Sequence, residues 1–168
     1  EEMDRLFSIC QQHKVLIISD EIHQDLITGL TPFTSALTVS KGAYTDRLIA
    51  MSSLSKSFNI ASLHHAEVII PDEELRNHYN AFKALVYHTD SDVLAEAAIT
   101  AAYTHPEAEA WLTDLLNVVK ENYDYMCNKL LANLPELRIS PMDGTYLAWI
   151  DFSAYLKPEE MHDFFENK

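Results

Sequence analysis

The residues best suited to chemistry are an aspartate and a lysine, each following a short apolar run. Asp20 comes after the run 15–18 and one serine, and Lys56 comes after the run 48–51 within the stretch S-S-L-S-K-S. A lysine held where a buried strand ends loses part of its hydration, and the neutral amine that this favours attacks carbonyl groups. Neighbouring parallel strands bring their carboxyl ends to one edge of a sheet, where open α/β sheets bind ligands. The pattern predicts a carbonyl-binding site that contains both residues.

Each of these residues also has an ordinary structural interpretation. Lys56 could be a solvated side chain in a polar loop, and Asp20 could close its strand as a helix cap. Their occurrence together, at a suitable distance along the chain, favours the chemical interpretation. Asp20, Glu21 and His23 could also be drawn as metal ligands, but adjacent side chains on a strand point to opposite faces and no second cluster completes a shell. We therefore predict no metal.

The two motifs together resemble a known signature. D-E-I-H at 20–23 and S-K-S-F-N-I-A at 55–61 are similar to the pyridoxal-phosphate signature of the class I/II aminotransferase superfamily, fold type I. His23 stands where most members carry tyrosine, so the chain looks like the MalY/PatB cystathionine β-lyase branch. The segments 66–71, 101–103 and 144–151 resemble that branch in the same order.

The resemblance implies roles for individual residues, with pyridoxal 5'-phosphate as cofactor. Asp20 would pair with the pyridine nitrogen, Lys56 would hold the cofactor covalently, and His23 would hydrogen-bond the ring oxygen. Ser53 matches the serine that binds the cofactor phosphate, and Ser55 is a further hydroxyl donor beside the lysine.

The chain departs from the wider pattern near the phosphate. The superfamily often has arginine eight residues after the lysine, and this chain has His64 there. A histidine is a weaker phosphate ligand than a bidentate arginine, so phosphate affinity is expected to be lower or supported from elsewhere. Ser62 also replaces a common glycine.

The resemblance implies an enzyme that acts on a small amino-acid substrate. The leading hypothesis is a carbon–sulfur β-lyase that releases thiol, pyruvate and ammonia from cystathionine or cysteine S-conjugates. An aminotransferase that uses a 2-oxo acid is the near alternative, since both share every step up to removal of the α-proton. A non-catalytic, aminotransferase-like ligand-sensing domain is a further alternative.

Composition excludes several other classes. The formal charge of −14 disfavours contact with nucleic acid or anionic lipid. With only three glycines the chain has no dinucleotide or P-loop motif. No apolar run approaches the roughly 20 residues that span a bilayer. Cys10 and Cys127 fall in helical patterns far apart and predict reduced, buried thiols, so a cytoplasmic protein is expected.

The 168 residues are expected to be a piece of a longer α/β enzyme of this kind, inactive by itself. The resemblance assigns 1–105 to the large cofactor-binding domain with a mixed, mostly parallel sheet, 106–134 to a bridging helix, and 135–168 to a small α+β domain. It also implies a homodimer.

Periodicity predicts the elements that position these residues. An amphipathic helix over 2–13 precedes a strand at 15–19 that is apolar throughout and expected to be buried on both faces. The segment 24–46 is expected to be an irregular surface connection. A strand at 48–51 follows, then another within 63–70, expected to be antiparallel to it because the connection is too short for a covering helix.

The remaining predicted elements are mainly helical. A helix to about residue 87 is followed by a break at 88–92, with Ser91 as N-cap of the next helix at 93–103. Further on we expect a long helix from 106 to 134, strands at 137–140 and 145–152 around a turn at 141–144, and a helix at 159–166.

Overall fold

A computed structural model describes residues 1–86 and 92–156 of the chain. The helices and strands, in chain order, are α1 Glu2–Gln12, β1 Ile17–Asp20, β2 Leu48–Ser52, β3 Glu67–Ile69, α2 Glu73–Leu85, α3 Val93–Thr104, α4 Ala108–Asn133, β4 Arg138–Ile139 and β5 Ile150–Asp151. The predicted helix at 159–166 and most of the predicted break at 88–92 lie outside the described residues. The chain divides into two compact units, one of Glu1–Asp25 with Pro32–Leu112 and one of Leu26–Thr31 with Thr113–Lys168.

The first unit contains a three-stranded sheet in the order β1-β2-β3. β1 and β2 are parallel, with Asp20 opposite Met51. β2 and β3 are antiparallel, with Ser52 opposite Glu67. Both predicted orientations are confirmed, and the short connection between β2 and β3 explains the second one because it leaves no room for a crossover helix.

The two faces of this sheet differ in burial. Ile17, Leu48 and Ala50 lie on one face and are almost fully buried. Ile18 lies on the other face and is 60% exposed. The prediction that the first strand is buried on both faces is therefore wrong for this chain: side chains alternate between the faces, and within the described residues the second face is only partly covered.

The core of the first unit lies between α1 and the covered face of the sheet. Phe7 of α1 packs edge-on against Tyr44 at 5.6 Å between ring centroids, and Ile17 and Leu48 complete the contact. The segment between β1 and β2 was expected to be an irregular surface connection. It is irregular, with short 3-10 turns within Ala36–Gly42 and Thr45–Arg47 and left-handed backbone at Ser40 and Lys41. The expectation that it lies on the surface is wrong, because Ala36, Val39 and Tyr44 contribute to the core.

Aspartates begin the next two helices. Asp72 accepts a hydrogen bond from the Leu75 amide and starts α2. Asp92 accepts hydrogen bonds from the amides of Leu94 and Ala95 and starts α3, so the prediction of Ser91 as N-cap is wrong by one residue. Both carboxylates also lie at the positive end of the helix dipole, where a negative charge is stabilising.

The long helix α4 confirms the prediction for 106–134. It has 26 residues, begins two residues after Pro106 and ends just before Pro135. Proline is well suited to the start of a helix and cannot continue one, which explains both limits.

The second unit contains a short antiparallel pair, β4 and β5. The predicted strands at 137–140 and 145–152 are confirmed in orientation but are shorter than expected. The reason is that the segment leading into β5 bonds elsewhere: the Thr145 amide donates to the Leu26 carbonyl at 2.7 Å, and the Gly29 amide donates to the Asp143 carbonyl at 2.9 Å. A Cβ at position 29 would lie 2.9 Å from the Asp143 Cα, so this close approach requires glycine.

Three further observations concern the described residues alone. No helix in them is long and apolar enough to cross a membrane. No group of three or more histidine, cysteine, aspartate or glutamate side chains is arranged to hold a metal ion. Cys10 and Cys127 are free thiols, each partly rather than fully buried.

Candidate active site

One edge of the three-stranded sheet collects the segments that carry the predicted site residues. β1 ends at Asp20, and β2 ends at Ser52, four residues before Lys56. β3 is antiparallel and begins at this same edge, with Glu67 opposite Ser52. The Glu21 amide donates to the Met51 carbonyl at 2.7 Å and extends the pairing by one residue. The structure therefore brings the aspartate, lysine and histidine segments to one edge.

Asp20 is an exposed carboxylate at the end of β1. Its Oδ1 accepts a hydrogen bond from the Ile22 amide at 3.2 Å, which turns the chain away from the strand. An ionised carboxylate can accept about four hydrogen bonds. One backbone contact therefore leaves Asp20 able to accept from a ligand.

Lys56 lies in a compact turn after β2, which we call the lysine loop and define as residues 52–58. Its shape is fixed by backbone hydrogen bonds from Phe58 to Leu54 at 2.9 Å and from Ile60 to Ser55 at 3.2 Å. Asn59 follows in the left-handed region, with φ of 55°. Lys56 itself is half-buried, and within the described part of the chain its amine has no carboxylate within ion-pair distance. The amine is thus available to a ligand.

The two serines predicted near the cofactor phosphate are placed differently. Ser53 is buried, and its hydroxyl donates to the His65 carbonyl at 2.7 Å and accepts from the Ser55 amide at 3.1 Å. Its proton is therefore used within the chain, and donation to a phosphate requires the hydroxyl to rotate. Ser55 is half-buried. Both phosphate roles stay predictions.

The predicted histidines come before and after the lysine loop along the chain. His23 is half-buried in the segment that follows β1. His64 is exposed and has left-handed backbone geometry, with φ of 49°. It lines a cavity of about 630 Å³ that is also lined by His65 and Lys83. An anion in this cavity would meet these nitrogen-bearing side chains, and Asp92 at its wall would oppose it.

Sequence reasoning missed two side chains that hold the lysine loop. The Gln24 amide nitrogen donates to the Ser52 hydroxyl at 2.8 Å. The Ser57 hydroxyl donates to Asp25 Oδ2 at 2.7 Å. Ser57 directly follows Lys56 and is completely buried. The serine next to Lys56 was the one sequence signal for this contact, but nothing in the sequence indicates which distant carboxylate accepts its hydrogen bond.

Sequence reasoning also missed a tyrosine–glutamate contact at the start of β3. The Tyr103 hydroxyl lies 2.9 and 3.0 Å from the two carboxylate oxygens of Glu67. Partial burial of the phenol, this hydrogen bonding and the charges of Glu67 and Asp25 raise the pKa of Tyr103 to about 12. Tyr103 therefore stays a neutral donor to Glu67 at physiological pH.

These contacts allow a test of whether the residues fit pyridoxal phosphate. The ring nitrogen of such a cofactor needs a carboxylate, and its carbonyl needs a primary amine. Asp20 has spare acceptor capacity and Lys56 is not paired with a described carboxylate. Both belong to segments at one sheet edge, so the residues present fit the ring and carbonyl of the cofactor. The described residues offer fewer donors for the phosphate than for the ring and carbonyl, because the Ser53 hydroxyl already donates to the His65 carbonyl.

Comparison with known proteins places the chain in a wider context. The model of the family described as aminotransferase class I and II matches residues 1–167. Cystathionine β-lyase PatB of Bacillus subtilis (strain 168) is 33% identical over 158 residues, which cover 92% of this chain and 39% of that protein. Protein MalY of Escherichia coli (strain K12) is 35% identical over 164 residues, 97% of this chain and 40% of that protein.

Solved structures also match nearly the whole of this chain and only part of their own length. The pyridoxal-phosphate-bound C–S lyase of Staphylococcus hominis superposes with a TM-score of 0.82 at 32% identity, and the match covers 99% of this chain and 41% of that one. Aminotransferases are among the more distant matches. The chain spans about 40% of the length of the curated relatives it matches. The predicted α/β fold of type I is confirmed.

Proposed function

This chain belongs to the class I and II aminotransferase family, and we propose that the protein is a pyridoxal-phosphate-dependent carbon–sulfur β-lyase. Its substrates would be cystathionine or cysteine S-conjugates, from which it would release thiol, pyruvate and ammonia. The observation that carries the proposal is the meeting of the Asp20 strand end and the lysine loop at one sheet edge. The similarity to PatB and to the S. hominis lyase supports lyase chemistry in particular.

Lys56 is the residue assigned to covalent binding and proton transfer. Its amine would bond to the cofactor carbonyl, be displaced by the amino group of the substrate, and then take the proton from the substrate α-carbon. When bound, the cofactor supplies a ring that accepts the electron pair left on that carbon. Partial burial of Lys56 supports this role, because water competes less with the amine in such a position.

Asp20 and His23 are assigned to the cofactor ring. The Asp20 carboxylate would accept a hydrogen bond from the protonated ring nitrogen and hold that proton in place. His23 would hydrogen-bond the ring oxygen. Asp20 is the last residue of β1 and His23 lies in the turn that follows it, so this short stretch of backbone sets the spacing between them.

Ser53, Ser55 and His64 are assigned to the cofactor phosphate. His64 stands where an arginine is common, and a single imidazole offers fewer and weaker hydrogen bonds to phosphate than a guanidinium. Its exposure on the wall of the 630 Å³ cavity supports access to an anion.

An aminotransferase is the alternative enzyme, and more distant relatives favour it. The two activities differ only after the α-proton is removed. A lyase then expels the thiol from the β-carbon, whereas an aminotransferase adds the proton to a carbon of the cofactor. The protein expressed from the complete open reading frame should be assayed with cystathionine. Pyruvate and thiol formed without a 2-oxo acid would support the lyase; amino transfer that requires a 2-oxo acid would favour the alternative.

A non-catalytic ligand-sensing role is the second alternative. It predicts cofactor or amino-acid binding without turnover. The same assay tests it, because binding without either product would favour the sensor over both enzymes.

The organisation of the whole protein is part of the proposal. We assign 1–105 to the large domain, 106–134 to the bridging helix and 135–168 to the small domain; the extent of α4 supports this division. We also propose a homodimer, as the resemblance to this family implies. A cytoplasmic location is proposed on the two free cysteines.

A further inference from the structure

Two consecutive side chains, Gln24 and Asp25, hold the lysine loop at both ends. Gln24 binds the hydroxyl of Ser52, the first residue of the loop, at 2.8 Å. Asp25 binds the hydroxyl of Ser57, the residue after the lysine, at 2.7 Å. Both serines are more than nine-tenths buried. The segment that follows β1 therefore reaches the lysine loop on both sides of Lys56.

The pairing of β2 with β1 holds the start of the lysine loop at the sheet edge, because Asp20 lies opposite Met51 and the Glu21 amide donates to the Met51 carbonyl. β2 ends at Ser52, so this pairing does not extend to Lys56. The hydrogen bonds from Phe58 to Leu54 and from Ile60 to Ser55 are local and fix only the shape of the turn. At the lysine end of the loop, the contact of Ser57 with Asp25 joins the turn to the segment after β1.

The Asp25 contact is the stronger of the two. Its acceptor is a carboxylate, and hydrogen bonds to ionised groups are shorter and about twice as strong as neutral ones. Its donor is completely buried, so water cannot replace the bond without local opening. Its donor also directly follows Lys56, so it acts on the backbone from which the lysine side chain extends.

We propose that Asp25 is a positioning residue that, through the buried Ser57 hydroxyl, holds Lys56 at the sheet edge beside Asp20. The proposal rests on the proposed function insofar as Lys56 is taken as the cofactor lysine. The chemical reason is entropic: a lysine whose backbone is already fixed loses less freedom when its amine forms a covalent bond. Asp25 itself touches neither cofactor nor substrate in this assignment.

The test uses the protein from the complete open reading frame and four variants. Asp25→Ala and Ser57→Ala remove the hydrogen bond. Asp25→Asn keeps an amide oxygen that can accept the Ser57 proton. Tyr44→Phe is the matched control, because the Tyr44 hydroxyl also donates to a carboxylate, that of Asp4, at 2.7 Å, in the core of the same unit and away from the lysine loop.

The first readout is the equilibrium constant for cofactor attachment, measured by absorbance titration of the cofactor-free protein. We expect Asp25→Ala and Ser57→Ala to weaken attachment about tenfold or more, as loss of a hydrogen bond to a charged group predicts. Asp25→Asn should stay within about threefold of the parent, because a neutral hydrogen bond remains. Tyr44→Phe should lower the urea midpoint of unfolding and leave attachment unchanged.

The second readout needs no cofactor. Hydrogen–deuterium exchange of the Phe58 and Ile60 amides should accelerate in Asp25→Ala and Ser57→Ala but not in Tyr44→Phe. If the parent binds no cofactor, the proposed function fails, and this exchange result still decides whether Asp25 fixes the loop. Equal effects of Asp25→Ala and Tyr44→Phe on exchange and attachment would overturn the positioning role. The positioning role would also be overturned if Asp25→Asn were as impaired as Asp25→Ala. The charge of Asp25, and not its hydrogen bond to Ser57, would then account for the loss of attachment.

Discussion

Asp20, the last residue of β1, lies directly opposite Met51 of β2 in a parallel register. This pairing is the structural basis of the proposed site, because the strand that ends in the Asp20 carboxylate lies beside the strand that leads into the lysine loop. In an open sheet the carboxyl ends of parallel strands are the usual place for a ligand. The chemistry assigned to Asp20 can therefore be tested by a substitution that keeps its shape.

Asp20→Asn should keep covalent attachment of the cofactor and lose most turnover. A neutral amide has the same size but cannot hold a proton on the ring nitrogen. We expect kcat to fall by at least about tenfold, the effect of losing roughly 1.5 kcal/mol or more of interaction with a charged group. Steady-state pyruvate release measures it, and activity within about threefold of the parent would contradict the carboxylate role.

His64→Arg should tighten cofactor binding. A guanidinium can bind a phosphate through two hydrogen bonds where an imidazole offers one. One additional charged hydrogen bond contributes about 1.5 kcal/mol, so the dissociation constant should fall about tenfold. Absorbance titration of the cofactor-free protein provides the measurement. Unchanged affinity would place the phosphate away from position 64.

Glu67→Gln should lower the pKa of Tyr103 from about 12 toward the ordinary value of 10.0. The substitution removes the carboxylate charge that disfavours the phenolate. Because the folded-state pKa is raised, the stability from this contact is complete below pH 10 and is lost as the pH rises toward 12. Tyr103 is 57% exposed, so the effect on stability should be small.

The tyrosine prediction can be measured by ultraviolet difference absorbance of tyrosinate after a rapid pH jump. Subtracting the curve of Tyr103→Phe isolates this residue from the seven other tyrosines of the chain. An identical Tyr103 titration in the parent and in Glu67→Gln would show that Glu67 does not control the phenol.

Ile18→Thr should reduce self-association of the 168-residue polypeptide. Ile18 is 60% exposed on the open face of the sheet, and exposed apolar faces bind other chains. Burial of an isoleucine contributes about 1.5–3 kcal/mol, so the association constant should fall about tenfold. Leu30→Thr is the control, since Leu30 is an exposed apolar side chain too but lies in the second unit. Sedimentation velocity compares them; a monomeric parent, or an equal effect of both variants, would contradict this expectation.

Local patterns were sufficient to predict most elements and the sheet edge. Apolar runs before Asp20 and Lys56 predicted two parallel strands, and the register of Asp20 with Met51 confirms them. The prolines at 106 and 135 limited α4 correctly. The strands and the limits of α4 depend on residues close in sequence, so pattern and propensity were enough to predict them. The pairing of β1 with β2 joins residues distant in sequence, and it was predicted because parallel strands bring their ligand-binding residues to one sheet edge.

Side-chain contacts between residues distant in sequence were not predictable. Ser57 and Asp25 are 32 residues apart, and no periodicity connects them. The segment between β1 and β2 looked irregular, but Ala36 and Tyr44 enter the core and the buried Glu21 carboxylate accepts from the Ala36 amide at 2.7 Å. In each case tertiary packing decided the structure of a locally ambiguous segment.

The most direct test of the central claim is the identity of the lysine that carries the cofactor. The protein from the complete open reading frame should be incubated with pyridoxal phosphate, reduced with borohydride, digested and analysed by mass spectrometry, with Lys56→Ala and the exposed-lysine variant Lys41→Ala in parallel. We predict the cofactor mass on the peptide that contains Lys56 in the parent and in Lys41→Ala, and its loss together with pyruvate release in Lys56→Ala. Covalent cofactor on another lysine, or sustained pyruvate release by Lys56→Ala, would contradict the assignment.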